Sequence, residues 1–113
     1  MHNEEGETQG RRGFSRSLEM TISREEFLRL LPEVAGPFEV DPMSEAPVVS
    51  LVGQASVLAR TLVTIRLVPL PALQFGSVAL PRHRADITLD DCSDAEGEAF
   101  MERFRRAFLR AGG

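Results

Sequence analysis

Residues 60–68 read RTLVTIRLV, and apolar side chains recur there at every second position. On an extended backbone, Val63, Ile65 and Leu67 lie on one face, while the opposite face carries Leu62 and polar residues. A period of two is typical of a strand that buries one of its faces. This stretch therefore predicts a β-strand in a half-buried sheet.

Segments on both sides of this strand have the same strand-like character. They are residues 38–40, 48–52, 75–80 and 85–90. Residues 69–74 include two prolines and are predicted to form the loop between two strands. Connections this short join antiparallel neighbours, because a parallel pair needs a long crossover. We therefore expect a meander-like antiparallel sheet of four or five strands.

A short helix is predicted before the strands, at residues 24–31. Ser23 and Glu26 have the spacing of a capping box, in which the hydroxyl and the carboxylate each accept a hydrogen bond from a backbone N–H of the first turn. Phe27 and the leucines that follow it share one helical face. Pro32 is expected to end the helix, since its ring leaves no N–H for the next backbone hydrogen bond.

A longer helix is predicted after the strands. Ser93 and Glu96 have the spacing of a second capping box. Phe100, Phe104 and Phe108 recur at every fourth position and form one aromatic stripe, which is expected to cover one face of the sheet. The predicted fold class is therefore α+β, with an antiparallel β-sheet flanked by a short N-terminal helix and a longer C-terminal helix.

The chain has 113 residues, a length that favours a single domain. Residues 1–20 contain three glycines, scattered charges and few large apolar groups. A segment of that composition buries too little apolar surface to offset the entropy lost on ordering. We therefore expect a disordered N-terminal tail over residues 1–20 and one α+β domain over residues 21–113.

The composition removes several kinds of chemistry. All 13 residues in the Lys+Arg count are arginine, Trp and Tyr are absent, and there is one cysteine. Without lysine the protein has no Schiff-base or P-loop lysine, and one cysteine cannot form an intrachain disulfide. A net charge of −4 disfavours binding to nucleic acid. No cofactor is expected.

The sequence also predicts where the protein works. It contains no run of 18 apolar residues, so neither a transmembrane helix nor a membrane partner is expected. Its first residues are acidic and lack the apolar stretch of a secretory signal. Together with the single thiol, these features predict a cytoplasmic protein, most simply of a bacterium.

The predicted loop is chemically unusual because it is uncharged and apolar. Its proposed interaction residues are Pro69, Leu70, Pro71, Leu73 and Phe75. The prolines stiffen the backbone and lower the entropy lost on docking. Either the segment folds over the sheet as core, or it contacts a protein partner, which includes a second copy in a homodimer. The function predicted first is a small, non-enzymatic accessory or protein–protein interaction module.

The basic residues suggest an alternative, a domain that binds a small anion or another ligand. Arg82, His83 and Arg84 form a basic cluster, and Arg60 is expected to approach Arg84 if the strands around the proline-containing segment pair as a hairpin. The planar guanidinium fork suits a carboxylate or a phosphate. Asp86 lies on the same strand face as Arg84, however, and a salt bridge between them competes with ligand binding.

A third hypothesis is an enzyme with Cys92, His83 and Asp86 as its reactive side chains. A thiol at a helix N-terminus has a lowered pKa, but the carboxylates around Cys92 oppose that effect. The acidic residues of the stretch 90–98 do not have the spacing of an EF-hand loop, and no metal site is predicted. The non-enzymatic role is preferred because the sequence contains no convincing nucleophile–base pair or phosphate loop.

Overall fold

The computed structural model describes residues 13–54 and 61–110. Within these residues, five strands and two helices follow one another along the chain. They are β1 (Phe14–Met20), α1 (Arg24–Ala35), β2 (Phe38–Val40), β3 (Val49–Gln54), β4 (Leu62–Phe75), β5 (Val78–Leu89) and α2 (Asp94–Arg110). The strands form one sheet in the order β1-β5-β4-β3-β2, and every neighbouring pair is antiparallel. The predicted α+β fold is confirmed.

The buried face of the sheet is the one that the alternating pattern predicts. Val63, Ile65 and Leu67 of β4 are all buried, and so are the inward residues of β5 beside them. The aromatic stripe of α2 contributes to the same core, where Phe108 stacks on Phe27 of α1 with ring centroids 5.0 Å apart. Aromatic pairs at this distance stabilise a core beyond their area burial. The two helices therefore meet through aromatic side chains.

Helix α1 begins as predicted and ends later than predicted. The Ser23 hydroxyl accepts a hydrogen bond from the backbone N–H of Glu26 at 3.1 Å. Pro32 lies inside the helix, which continues to Ala35. Pro32 has no N–H, so the last turn lacks one backbone hydrogen bond. This loss is offset because Ala35 is buried against the core and the N–H of Gly36 donates to the Pro32 carbonyl at 3.0 Å. Gly36, with φ 95°, ends the helix.

The prediction of a disordered tail is wrong for residues 14–20, which form the edge strand β1, while residues 1–12 lie outside the described part of the chain. Strand β1 pairs with β5 over its whole length, from Phe14 opposite Leu89 to Met20 opposite His83. Backbone hydrogen bonds to a neighbour that is distant in sequence supply the order that the local composition lacks.

Packing on α2 fixes this strand in place. The Phe14 ring is buried against Gly97 of α2, where an added Cβ would lie 2.2 Å from a ring carbon. Arg16 places its guanidinium 4.3 Å from the centroid of the same ring and forms a salt bridge with Glu98. A charged residue on the inward side of an edge strand is therefore accommodated by a cation–π contact and an ion pair.

The prediction of a loop at residues 69–74 is also wrong, because β4 continues through them to Phe75. The chain reverses at Gly76 and Ser77, and Gly76 has a φ of 59°, which glycine adopts without strain. A two-residue turn with glycine first is a frequent hairpin connection. The prolines are tolerated because, within residues 13–54 and 61–110, this part of β4 has a strand neighbour on one side only.

Candidate interaction site

The hairpin of β4 and β5 extends beyond the rest of the sheet. Strand β3 pairs with β4 only as far as Leu67, and β1 pairs with β5 only as far as His83. Among the residues that the structure describes, residues 68–82, here called the arm, therefore have no strand neighbour outside the hairpin itself.

The register of the arm places its large apolar side chains on one face. Opposite residues of an antiparallel pair share a face, and the pairs here are Leu70 with Arg82, Leu73 with Leu80, and Phe75 with Val78. We call the five apolar members of these pairs the apolar ladder; they are Leu70, Leu73, Phe75, Val78 and Leu80. This is the face of the sheet that points away from the helices, because Arg82 is two residues from Arg84 and the inward residues of β5 have odd numbers.

A β-bulge makes this one-sided arrangement possible. Between Leu70 and Leu73 the register shifts, so that residues 71 and 72 of β4 lie opposite residue 81 of β5. In a regular strand two residues three positions apart point to opposite faces. The extra residue reverses that alternation and brings Leu73 and Phe75 to the same side as Leu70.

Three members of the ladder are exposed to solvent, and the other two, Leu70 and Leu80, are half-buried. The exposed fraction of the side chains is 60% for Phe75, 53% for Val78 and 38% for Leu73. Pro69 and Pro71 are also exposed, so the predicted interaction residues do not fold over the sheet as core. Apolar residues that cluster on an exposed surface, rather than being scattered singly, mark contact sites.

No charged residue occurs between Arg66 and Arg82. At the base of the arm the charge of Arg82 is already neutralised, because its guanidinium donates to Glu19 at 2.7 Å and to the carbonyl of Pro71 at 3.4 Å. The arm thus presents an uncharged apolar face that ends at a paired arginine.

The outward face of the sheet carries an ion cluster centred on Asp86. Arg84 donates two hydrogen bonds to its carboxylate at 2.9 and 3.0 Å, Ser17 donates one at 2.7 Å, and Arg66 lies 3.6 Å away. Burial alone would raise the pKa of Asp86, but the hydrogen bonds from Arg84 and Ser17 and the two positive charges hold it below its ordinary value. The predicted salt bridge between Arg84 and Asp86 is confirmed.

The ion cluster leads to a prediction about acid stability. Since the pKa of Asp86 is lowered on folding, its contribution is present above the unfolded value of about 3.9 and is lost as the pH falls through the lower folded value. Asp86→Asn should therefore lower the free energy of unfolding at pH 7 by about 1 kcal/mol, with the difference shrinking below about pH 4. Urea unfolding across this range measures it. Glu33→Gln, at an exposed acid of α1 away from the cluster, is the control, and an equal response of both variants would contradict the prediction.

The predicted ligand-binding residues are not brought together. Arg82 and Arg84 share the outward face but each is engaged by a carboxylate, whereas His83 lies on the helix side, where its Nδ1–H donates to the carbonyl of Ile22 at 2.8 Å. Arg60 lies outside the described residues. Alternation along β5 thus separates the histidine from its arginine neighbours.

The residues considered for catalysis do not converge either. Cys92 is buried, and burial together with Glu96 and Asp94 raises the pKa of its thiol. Ser93 and Glu96 instead form the predicted capping box, with reciprocal hydrogen bonds of 2.9 and 3.1 Å. Over residues 13–54 and 61–110, no three His, Cys, Asp or Glu side chains are grouped as metal ligands.

Sequence reasoning missed two of the five residues of the ladder. It identified Leu70, Leu73 and Phe75 but not Val78 and Leu80, because the turn was placed too early. Gly76-Ser77 was the available signal, since a two-residue turn at that point pairs Phe75 with Val78.

Comparisons with known proteins give no relative from which a role for the arm could be inferred. No protein-family model, curated protein or solved structure matches this chain. In the part of the chain that the structure describes, neither helix has the length and apolar character needed to cross a membrane.

Proposed function

We propose that this protein is a small accessory module that binds another protein chain through its arm and has no catalytic activity of its own. The observation that carries the proposal is the apolar ladder, which is exposed on a hairpin that extends beyond the sheet. A protein that buries five of its other six phenylalanines but exposes Phe75 near the end of a hairpin bears a solubility cost that a binding role explains.

The alternatives have less support. In the small-anion hypothesis, Arg82 and Arg84 would have to leave their carboxylate partners before binding a ligand. In the enzyme hypothesis, His83 and Asp86 lie on opposite faces of the same strand, and Cys92 is buried. The cytoplasmic location stays part of our proposal, and the single buried thiol supports it.

Site-specific photocrosslinking tests the role of the arm. We expect benzoylphenylalanine at position 75, in protein produced in its native host, to give one or a few discrete adducts after irradiation. The same group at Met43, whose side chain is 82% exposed outside the arm, should give none of them. Adducts at neither position, or the same adducts at both, would overturn the proposed function.

A further inference from the structure

We propose that the occupant of the apolar ladder is a second copy of this chain, with two arms packed ladder to ladder and antiparallel about a two-fold axis. This inference rests on the proposed function, since it names the partner of the same surface. In this arrangement the tip of each arm, with Phe75 and Val78, lies over the base of the other arm, with Leu70 and Arg82. Leu73 and Leu80 lie near the axis and meet their own counterparts.

The arm is suited to contact through its face rather than its edges. An edge contact would add a strand through backbone hydrogen bonds, but Pro69, Pro71 and Pro81 have no N–H to donate. Prolines in exposed strands oppose edge-to-edge association, which otherwise continues from copy to copy. A contact between two identical faces stops at a dimer, because each ladder is covered by the other and none is left to bind a third copy.

The charge distribution also suits a second copy. Since residues 67–81 contain no charge, two antiparallel ladders bring no like charges together. Arg82 is the first charged residue that the opposite tip reaches, and Glu19 already neutralises it at 2.7 Å. The ring of Phe75 from the other copy then lies on the aliphatic stem of Arg82 and on Leu70, which are both apolar surfaces.

The size of the contact sets its strength. Eight residues at roughly 3.3 Å each make a strand of the arm about 26 Å long, and two strands present a face on the order of 10 Å wide. Packing two such faces, each with an area of about 260 Å², buries on the order of 500 Å² in total, which is less than the roughly 1,200–2,000 Å² of a stable specific interface. The dimer is therefore expected to be reversible and to form in a concentration-dependent way.

Sedimentation velocity on the purified full chain is the test. From about 5 to 500 µM, a span that suits a small interface, the protein should pass from monomer toward dimer. Phe75→Ser with Val78→Ser should raise the dissociation constant at least tenfold while the circular dichroism spectrum stays unchanged. Met43→Ser should behave as the unmodified chain. A monomer throughout this range, or a double variant that dimerises as well as the unmodified chain, would overturn the proposal.

Cysteine crosslinking tests the geometry. Leu73→Cys should form an intermolecular disulfide when an oxidant is added, because this position meets itself near the axis. Gln74→Cys, on the opposite face, is the matched control and should not. The native Cys92 is buried and gives little background. Equal crosslinking of both variants would contradict the face-to-face arrangement.

The outcomes separate this inference from the proposed function. If the purified chain stays monomeric while the crosslinker at position 75 captures a protein of another mass, the second-copy inference is wrong and the proposed function stands. If position 75 captures nothing and the chain stays monomeric, both are wrong.

Discussion

Phe104→Ala should reduce the free energy of unfolding by about 3–5 kcal/mol, the range expected when a large buried aromatic side chain is truncated. Phe104 is fully buried, and its ring centroid lies 6.1 Å from that of Phe27 and 4.6 Å from that of Phe108. The substitution leaves a cavity where the two helices meet, and the rings around it relax only partly. A domain of this size has a total stability of about 5–15 kcal/mol, so the loss is a large fraction of the whole. The variant should therefore reach its unfolding midpoint at a much lower urea concentration than the unmodified chain.

Urea unfolding, followed by circular dichroism, measures this loss. Leu109→Ala on the same helix is the matched control, since its side chain is 70% exposed and the change should stay within about 0.5 kcal/mol. A loss of less than about 1 kcal/mol for Phe104→Ala would mean that the aromatic contact between the helices is not what holds the core together.

Gly97→Ala should destabilise the protein, although alanine favours a helix by about 1 kcal/mol over glycine. A Cβ at this position would lie 2.2 to 2.5 Å from three carbons of the Phe14 ring, well inside the van der Waals limit. The ring is buried and must move for the methyl group to fit, which costs roughly 1–3 kcal/mol and loosens the contact between β1 and α2. The expected net result is a lower midpoint of urea unfolding and faster hydrogen exchange in β1.

A double-mutant cycle with Phe14→Ala isolates the cause. Without the ring, Gly97→Ala has nothing to displace and should stabilise the protein by up to about 1 kcal/mol through helix propensity alone. The sign of the effect should therefore reverse between the two backgrounds. Destabilisation of equal size in both would show that Phe14 is not the group that requires glycine.

Gly97 also shows why the edge strand could not be predicted. A glycine inside a helix and a phenylalanine 83 positions earlier have no relation in the sequence, yet they fit together in the structure. The segment that carries Phe14 has a weak apolar pattern, and its order depends on hydrogen bonds to β5 and on packing against α2. Such non-local contacts outweigh the local composition that predicted a tail.

The sequence alone determined the elements whose signals are local. The alternation through Ile65 and Ile87, the serine caps of both helices and the phenylalanine stripe of α2 follow from neighbours a few residues apart, and the structure contains them. The capping box of α2 is reciprocal, whereas in α1 the Glu26 carboxylate accepts a hydrogen bond from Arg29. It also indicated the uncharged segment at residues 69–75, because composition requires no knowledge of the fold. The spacing of apolar residues at every second or every fourth position can be read from the sequence alone, because it depends only on residues that are close together in the chain.

Only the tertiary structure decided how the candidate site is built. It placed β1 beside β5, brought Arg66 and Ser17 to Asp86, and turned His83 away from its arginine neighbours. Above all, one extra residue opposite Pro81 brought the exposed apolar side chains of the arm to a single face. Register is set by the pairing of two strands rather than by either strand alone, and a shift of one residue changes the face on which every later side chain lies.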